Sequence, residues 1–545
     1  MDRTRAPLGR SLSGYAKSHP MKNPRPPFAV SNLRRALVRP LAFASLCMLL
    51  GACDLDTLPP ATTADGGAPM DPLTLEVPSV VRIPRGYSTP LPVRVVGTAA
   101  AVMGPIRLEV VEAPEGVTGN VVTLEAPTTI TDLTVVARVY ARTGGPFPLR
   151  VRATNPATGM TLAEVETRLV VRGEPGELDP YYGAGPFDAV DASPEPNDYV
   201  MSSIVDSQRR LVVCGAGSSG ARRVAFLVRF AASGAPDPTF GLEGQADLQT
   251  TLNSACVAVL ERGDSLVVIK ADYDKYATGE SPHVFRLRAT DGGLIGAANG
   301  TNPFVVDRDA LRLEPFGAGF LVEGRTTVAY DVRGQRDGSF VRSDTLSLGD
   351  LVPAANGGFF AEAYGPRGAI GLARLHADGS VDTAFGTDGV AYFQAPEGAT
   401  DAVSVSVLGL PDGGAALLLD WQIGAPDFSH RLCLTRFTPA GTLDTTFART
   451  GSLVVAPTGA VGGLHLDGQN RIVVRYAVPG ATLYTYVSRI ARFDLQGKVT
   501  LGSDAAPYVA MPEGASPRLY DALTDSLVGT GTDPSGKLRA VRVWL

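Results

Sequence analysis

The segment GTGTDPSGKL places Gly531, Gly536 and Lys537 at the spacing of a loop that cradles phosphate with backbone N–H groups. That chemistry needs a Ser or Thr after the lysine and a helix behind it. Leu538 follows instead, and strand-like text stands on both sides, so the segment reads as a hairpin turn. His283, His376, His430 and His465 are widely spaced and form no H-E-x-x-H pair, which argues against a zinc hydrolase. No G-x-S-x-G elbow occurs, and GAGSSG lacks its spacing. The pairs Asp272/Asp274 and Asp307/Asp309 have calcium-binding chemistry but stand in no EF-hand loop, and read as solvated turn carboxylates. These patterns predict no catalytic residue, no metal ligand and no cofactor.

Three stretches set aromatic rings beside polar groups: ADYDKYATGESPH (271–283), DWQIGAPDFSH (420–430) and YAVPGATLYTY (476–486). Tyr273, Tyr276, Trp421, Phe428, Tyr484 and Tyr486 are the candidate binding residues, because an exposed ring with polar neighbours suits contact with a sugar or a protein. The competing reading is that the same rings pack their own loops down.

Cys53 is the remaining residue with a chemical role. Arg34, Arg35 and Arg39 precede the apolar run LAFASLCMLL, which is half the length of a membrane-spanning helix and fits the core of an export signal. The run ends in LGAC, which resembles the bacterial lipoprotein box whose cysteine receives diacylglycerol. An ordinary signal peptide with an incidental cysteine is the alternative. Met21 is a second candidate start, and RRALVR also resembles a twin-arginine signal, so the export route stays open. Asp54 is an inner-membrane retention cue in some bacteria, and the choice between inner and outer membrane stays open too.

Cleavage before Cys53 removes nine basic residues and Asp2, leaving 40 basic and 54 acidic side chains, a net charge of −14. Such a chain lacks the electrostatic footprint of a nucleic-acid partner. It is also repelled by anionic headgroups, so the acyl chain must supply the membrane affinity. Of the other cysteines, Cys214, Cys256 and Cys433 lie in apolar strand-like runs and read as buried thiols acting as small apolar groups. A Cys214–Cys256 bridge in an oxidising compartment is the minor alternative.

With 61 Gly, 42 Pro and only 19% charged residues in 545, the chain is written as many turns between short buried segments. An all-β protein of more than one domain is expected. Residues 1–52 form the leader and 53–72 a polar tether without periodicity. From 73 to 173, seven alternating runs, with Val93 and Val95 inward and Arg94 outward, predict an immunoglobulin-like β-sandwich with an aliphatic core.

From 174 to 545 one turn recurs. GAPDPTFG (234–241), GSVDTAFG (379–386) and GTLDTTFA (441–448) are clear copies, and GELDPYYG (176–183) and GQRDGSF (334–340) are recognisable. GGLIGAANG (292–300) and GKVTLGS (497–503) keep the place without the aspartate. The aspartate-equivalent positions 179, 237, 295, 337, 382, 444 and 500 step by 58, 58, 42, 45, 62 and 56 residues, the mark of a repeat architecture. Each unit has four strand-like runs, which predicts blades of a β-propeller, with Phe240, Phe385 and Phe447 plugging the gaps between blades. The first unit lacks the strand before its turn, and the final KLRAVRVWL supplies one, so the two ends should complete one blade. Seven blades are counted, and the two degenerate turns leave six or eight open.

The G-x-L-D-x-x-F-G turn after an FxLARL-like strand resembles the delta-60 repeat of exported proteins of myxobacteria and relatives. That resemblance covers about 179–545, departs from pattern in units three and seven, and implies propeller blades but no catalytic residues. The expectation is a lipid-anchored cell-envelope protein. It would face periplasm or cell surface and present a non-catalytic propeller to a protein or glycan. The alternative is an exported propeller enzyme: a hydrolase, a lyase or a quinone-dependent dehydrogenase.

Overall fold

The computed structural model describes residues 73–97, 104–183, 195–219, 222–248, 253–272, 282–295, 303–307, 309–324, 326–343, 346–365, 370–392, 399–424, 429–480, 486–501, 508–511, 515–532 and 538–545. Cys53 and the segments expected to be leader and tether, residues 1–72, lie outside these. The described chain is built from strands, with one three-residue 3₁₀ turn at Phe447–Arg449.

Nine strands between Thr74 and Arg172 make two facing sheets. One has the order Thr74–Glu76, Ser88–Val96, Ile130–Ala137, Val117–Gly119; the other Val80–Pro84, Thr161–Arg172, Gly144–Thr154, Ile106–Glu112, Val121–Leu124. Leu91, Val93 and Val95 are buried and Arg94 is exposed, as period-two alternation requires, and both sheets feed one aliphatic core. Two strands escaped the sequence reading. Val80–Pro84 ends in a proline and pairs in parallel with Thr161–Arg172, whereas Val117–Gly119 is too short to show alternation.

Beyond the sandwich, seven sheets succeed one another, and each first strand packs beside the next. The first strands are Glu195–Val205, Ser254–Arg262, Arg312–Phe316, Ser347–Pro353, Ala399–Gly409, Ala460–Leu466 and Ala515–Asp521, opening blades 1 to 7. Blade 5 shows the pattern: Ala399–Gly409, Ala415–Ile423, Ser429–Phe437 and Ser452–Ala456, all antiparallel. Apolar side chains from each blade merge with those of the next, so the cores lie between sheets. The first strand of blade 7 packs against that of blade 1, which closes the ring.

The closure joins the two ends of this region. Asp179 N donates to Arg542 O at 2.9 Å, Gly176 N to Trp544 O at 2.8 Å, and Trp544 N to Glu177 O at 3.1 Å. Residues 176–179 are therefore the outer edge of blade 7, through the Leu178–Val543 bridge.

The recurring turn acts as a latch between blades. Asp237 accepts from Thr239 N at 3.0 Å, which shapes the turn, and from Arg229 Nε at 2.7 Å. Arg229 lies over the Phe240 ring at 4.3 Å and reaches the next blade, donating to Ala289 O and to Thr290 O. The same set recurs as Arg374–Asp382 with Phe385 and Pro439 O, and as Arg436–Asp444 with Phe447 and Leu495 O. A fourth copy is made by the ends of the region: Arg542–Asp179, Tyr182 and Ala232 O. Phe240, Phe385 and Phe447 are fully buried between blades, as expected. The turn glycine has a partner-specific role: a Cβ on Gly292, at φ +72°, would stand 2.7 Å from the Phe240 ring of the preceding blade.

Cys214 and Cys256 form a disulfide, so the reading of both as buried thiols is corrected. Their strands belong to adjacent blades that converge toward the axis, which brings the Cα atoms to 5.3 Å. Cys433 is a free buried thiol, its pKa raised by burial.

Candidate functional site

Connections between second and third strands all leave the same end of the ring. The three aromatic stretches are these connections, flanked by Asp272 and His283 in blade 2, Ile423 and Ser429 in blade 5, and Pro479 and Tyr486 in blade 6. Tyr273, Tyr276, Phe428 and Tyr484 fall outside the described residues. Tyr486 opens its strand and is 61% exposed. Trp421 corrects the loop reading, because its strand runs on to Ile423 and its ring is buried, with only 6% exposed. Ala415, Leu417, Leu419, Trp421 and Ile423 alternate onto one core with Phe360 and Phe385. That period-two signal was visible in the sequence.

Two tyrosines exposed at this end of the ring were missed. Tyr392 ends the fourth strand of blade 4, and Tyr199, in the first strand of blade 1, lies under the Arg223 guanidinium at 4.8 Å. In each sheet, first strands begin and fourth strands end at the same rim that carries the second-to-third connections. Tyr199, Tyr392 and Tyr486 are thus exposed rings of blades 1, 4 and 6 that belong to this end of the ring. Isolated tyrosines carry no periodic mark, which is why pattern reading passed over them.

The axial surface is formed by first strands, and six of the seven carry a β-bulge: at Val200/Ser202, Cys256/Ala258, Leu348/Leu351, Ala402/Ser404, Val461/Gly463 and Pro517/Leu519. A bulge re-aims the extra side chain and tightens the twist, as strands on a small circle require. Arg312 and Asp350, on the first strands of blades 3 and 4, pair at 2.7 Å. In blade 5, His430 Nδ1 lies 3.0 Å from the buried Asp420 carboxylate. Between blades 6 and 7, His465 stacks on Tyr520 with centroids 5.9 Å apart. Burial, and then the charge of Arg475, pushes His465 down to about 3, so it is neutral at physiological pH.

The phosphate-loop spacing at 531–537 joins Ser526–Thr532 to Leu538–Trp544, which pair antiparallel from Thr532 to Leu538. It is a strand-to-strand connection with no helix behind it. Asp272 is 3.4 Å from Lys270, and Asp307 accepts from Thr326 Oγ1, contacts that occupy both carboxylates within the fold.

A family model described as a domain of unknown function (DUF5122) beta-propeller matches residues 209–240 and 357–385, in both cases running from the second strand of a blade to its latch. The ring is a β-propeller. No curated protein matches the chain. Among solved structures, an ulvan lyase of a polysaccharide lyase family, bound to -[GlcA(1-4)Rha3S]-, is 7% identical. It aligns over 46% of this chain and 69% of its own, with a TM-score of 0.29. Domains 4–9 of the surface layer protein SbsC are 10% identical over 88% of this chain and 82% of that one, with a TM-score of 0.14. Both propeller matches fall on blades that hold a complete Arg–Asp–Phe latch, so the matched residues are those that join blades.

Proposed function

We propose that the chain is an exported, lipid-anchored envelope protein whose propeller, of the delta-60 type, is a non-catalytic binding module for a glycan or protein. The observation that carries this reading is the division of labour in the propeller. Its repeated Arg, Asp and Phe residues are consumed in latches, while unrepeated aromatics sit at the rim of one end, with Tyr486 exposed there. An aromatic rim on a rigid ring binds with little loss of conformational entropy. The Cys214–Cys256 disulfide supports export into an oxidising compartment. The parallel pairing of Val80–Pro84 with the last strand of the sandwich supports an immunoglobulin-like spacer between Cys53 and the ring.

Two measurements test this. Metabolic fatty-acid labelling should mark the wild type and not Cys53→Ser. Titration against a panel of envelope polysaccharides should find one whose affinity falls about tenfold in Tyr486→Ala, or about 1.4 kcal/mol. Undiminished affinity would remove the aromatic rim from the reading, and shortening of the bound polysaccharide would replace the binding module with the enzyme.

A further inference from the structure

The first strands of blades 6 and 7, Ala460–Leu466 and Ala515–Asp521, are bulged at Val461/Gly463 and Pro517/Leu519, and the extra residue in blade 7 is Arg518. The stacked rings of His465 and Tyr520 fix how the two sheets oppose each other. One pleat back from His465 is Gly463, whose cross-strand partner is Arg475. Two residues back from Tyr520 is Arg518. Strand register therefore sets Arg475 and Arg518 on the same side of the stack, on facing sheets. Gly463 has no side chain to cover Arg475.

The polar atoms are arranged to receive something. Arg475 Nη2 donates to Gly462 O at 2.6 Å, which holds the guanidinium against the axial strand. Arg518 Nε donates to Ser516 Oγ at 3.2 Å, and Arg518 has no ion pair among the described residues. Both arginines are half-buried. His465 is 5% exposed, and its Nε2 has no hydrogen-bond partner. Burial lowers Arg475 to about 9 and Arg518 to about 10, and the charge of Arg518 adds to the effect on Arg475. Both remain cations at neutral pH, so like charges face each other beside an orphaned ring nitrogen. An oxyanion answers each of these features, since it accepts forked hydrogen bonds from guanidinium groups and relieves their repulsion.

We propose that the seam between blades 6 and 7 is a seat for an oxyanion, a carboxylate, sulfate or phosphate group, held by Arg475 and Arg518 with the Ser516 hydroxyl and His465 Nε2–H. The seat is independent of the aromatic rim and stands or falls apart from it.

Calorimetric titration of the full chain with sodium sulfate, sodium phosphate and sodium glucuronate, at ionic strength held constant with sodium chloride, tests the assignment. Saturable binding of one equivalent of at least one anion is expected. Arg518→Gln should weaken it at least thirtyfold, Arg518→Lys about tenfold because the fork is lost, and Tyr486→Ala not at all. If Arg518→Gln does not fold, Arg518→Lys decides. No saturable binding to any of the three, or equal affinity in the wild type and both Arg518 variants, overturns the seat. Preference for glucuronate would assign a uronate carboxylate, preference for sulfate a sulfate ester, and preference for phosphate a phosphoryl group, each supporting it.

Discussion

His465 stays neutral because it is buried beside a cation, and this has a consequence for stability. Its folded-state value of about 3 lies below the unfolded value of about 6.5, so between those limits the unfolded chain binds a proton that the folded chain refuses. The sign is then set: the residue costs nothing above pH 6.5 and destabilises the fold progressively as pH falls toward 3, on the order of a few kcal/mol in all. Urea titrations of His465→Phe at pH 6.5 and pH 4.5 should show a smaller loss of stability on acidification than the wild type. Parallel losses in both proteins would mean that the ring is protonated in the fold. Asp237 and Asp444 titrate elsewhere. Burial alone would raise them, but hydrogen bonds from Thr239 and Thr446 and the charges of Arg229 and Arg436 hold both below the usual value. Their contribution is complete above the ordinary carboxylate range and disappears only in stronger acid.

At the scale of elements, the latch explains why a turn is repeated in a protein whose strands diverge. Strand residues need only be apolar and alternate, whereas the turn must supply a carboxylate, a ring and a glycine at fixed spacing to grip the next blade. Arg229 has no exposed side chain and Asp237 only 9%, so Asp237→Asn strands a buried guanidinium and should cost about 3–5 kcal/mol in a chemical melt. Asp337 occupies the same place in blade 3, but Ala329 stands where the arginine would be, and Asp337→Asn should leave the midpoint unchanged. Equal effects of the two substitutions would show that the turn, and not the ion pair, holds the blades. The Cys214–Cys256 bridge closes a loop of 42 residues between blades 1 and 2, and its replacement by two alanines should cost about 2–4 kcal/mol, read as a lowered denaturation midpoint without reductant.

The whole molecule is braced where its ring closes. The sandwich grips blade 7 through Arg172 with Asp525 at 3.0 Å, Arg82 with Ala522 O at 3.0 Å and Leu523 O at 3.1 Å, and Arg85 with Glu177 at 2.9 Å. Thr143 Oγ1 also donates to Asp179 at 2.9 Å, the carboxylate of the closing latch. The sandwich is thus bonded to the 176–179 edge, to the turn between the first two strands of blade 7 and, through Arg172, to Leu545 O just after the closing strand. Deleting residues 73–172 should speed amide exchange in Leu538–Trp544 and leave Phe359–Tyr364, on the far side of the ring, unaffected. Unchanged protection at Leu538–Trp544 would reduce the sandwich to a spacer.

Local physics made much of this legible in the sequence. Alternation marked Val93 and Val95 as core, turn chemistry marked Asp237 and Phe240, and the spacing of seven turns marked seven blades with shared ends. The same alternation, read one strand too short, misplaced Trp421. What the sequence could not contain is which segments meet. Arg542 finds Asp179 across 363 positions, and Arg209 finds Asp521 across 312. Cys214 reaches Cys256 only because two blades converge, and Arg475 and Arg518 come to one seam only because two sheets face each other. Periodicity records how each residue sits relative to its own strand. The distance between side chains on different blades is decided when the ring closes.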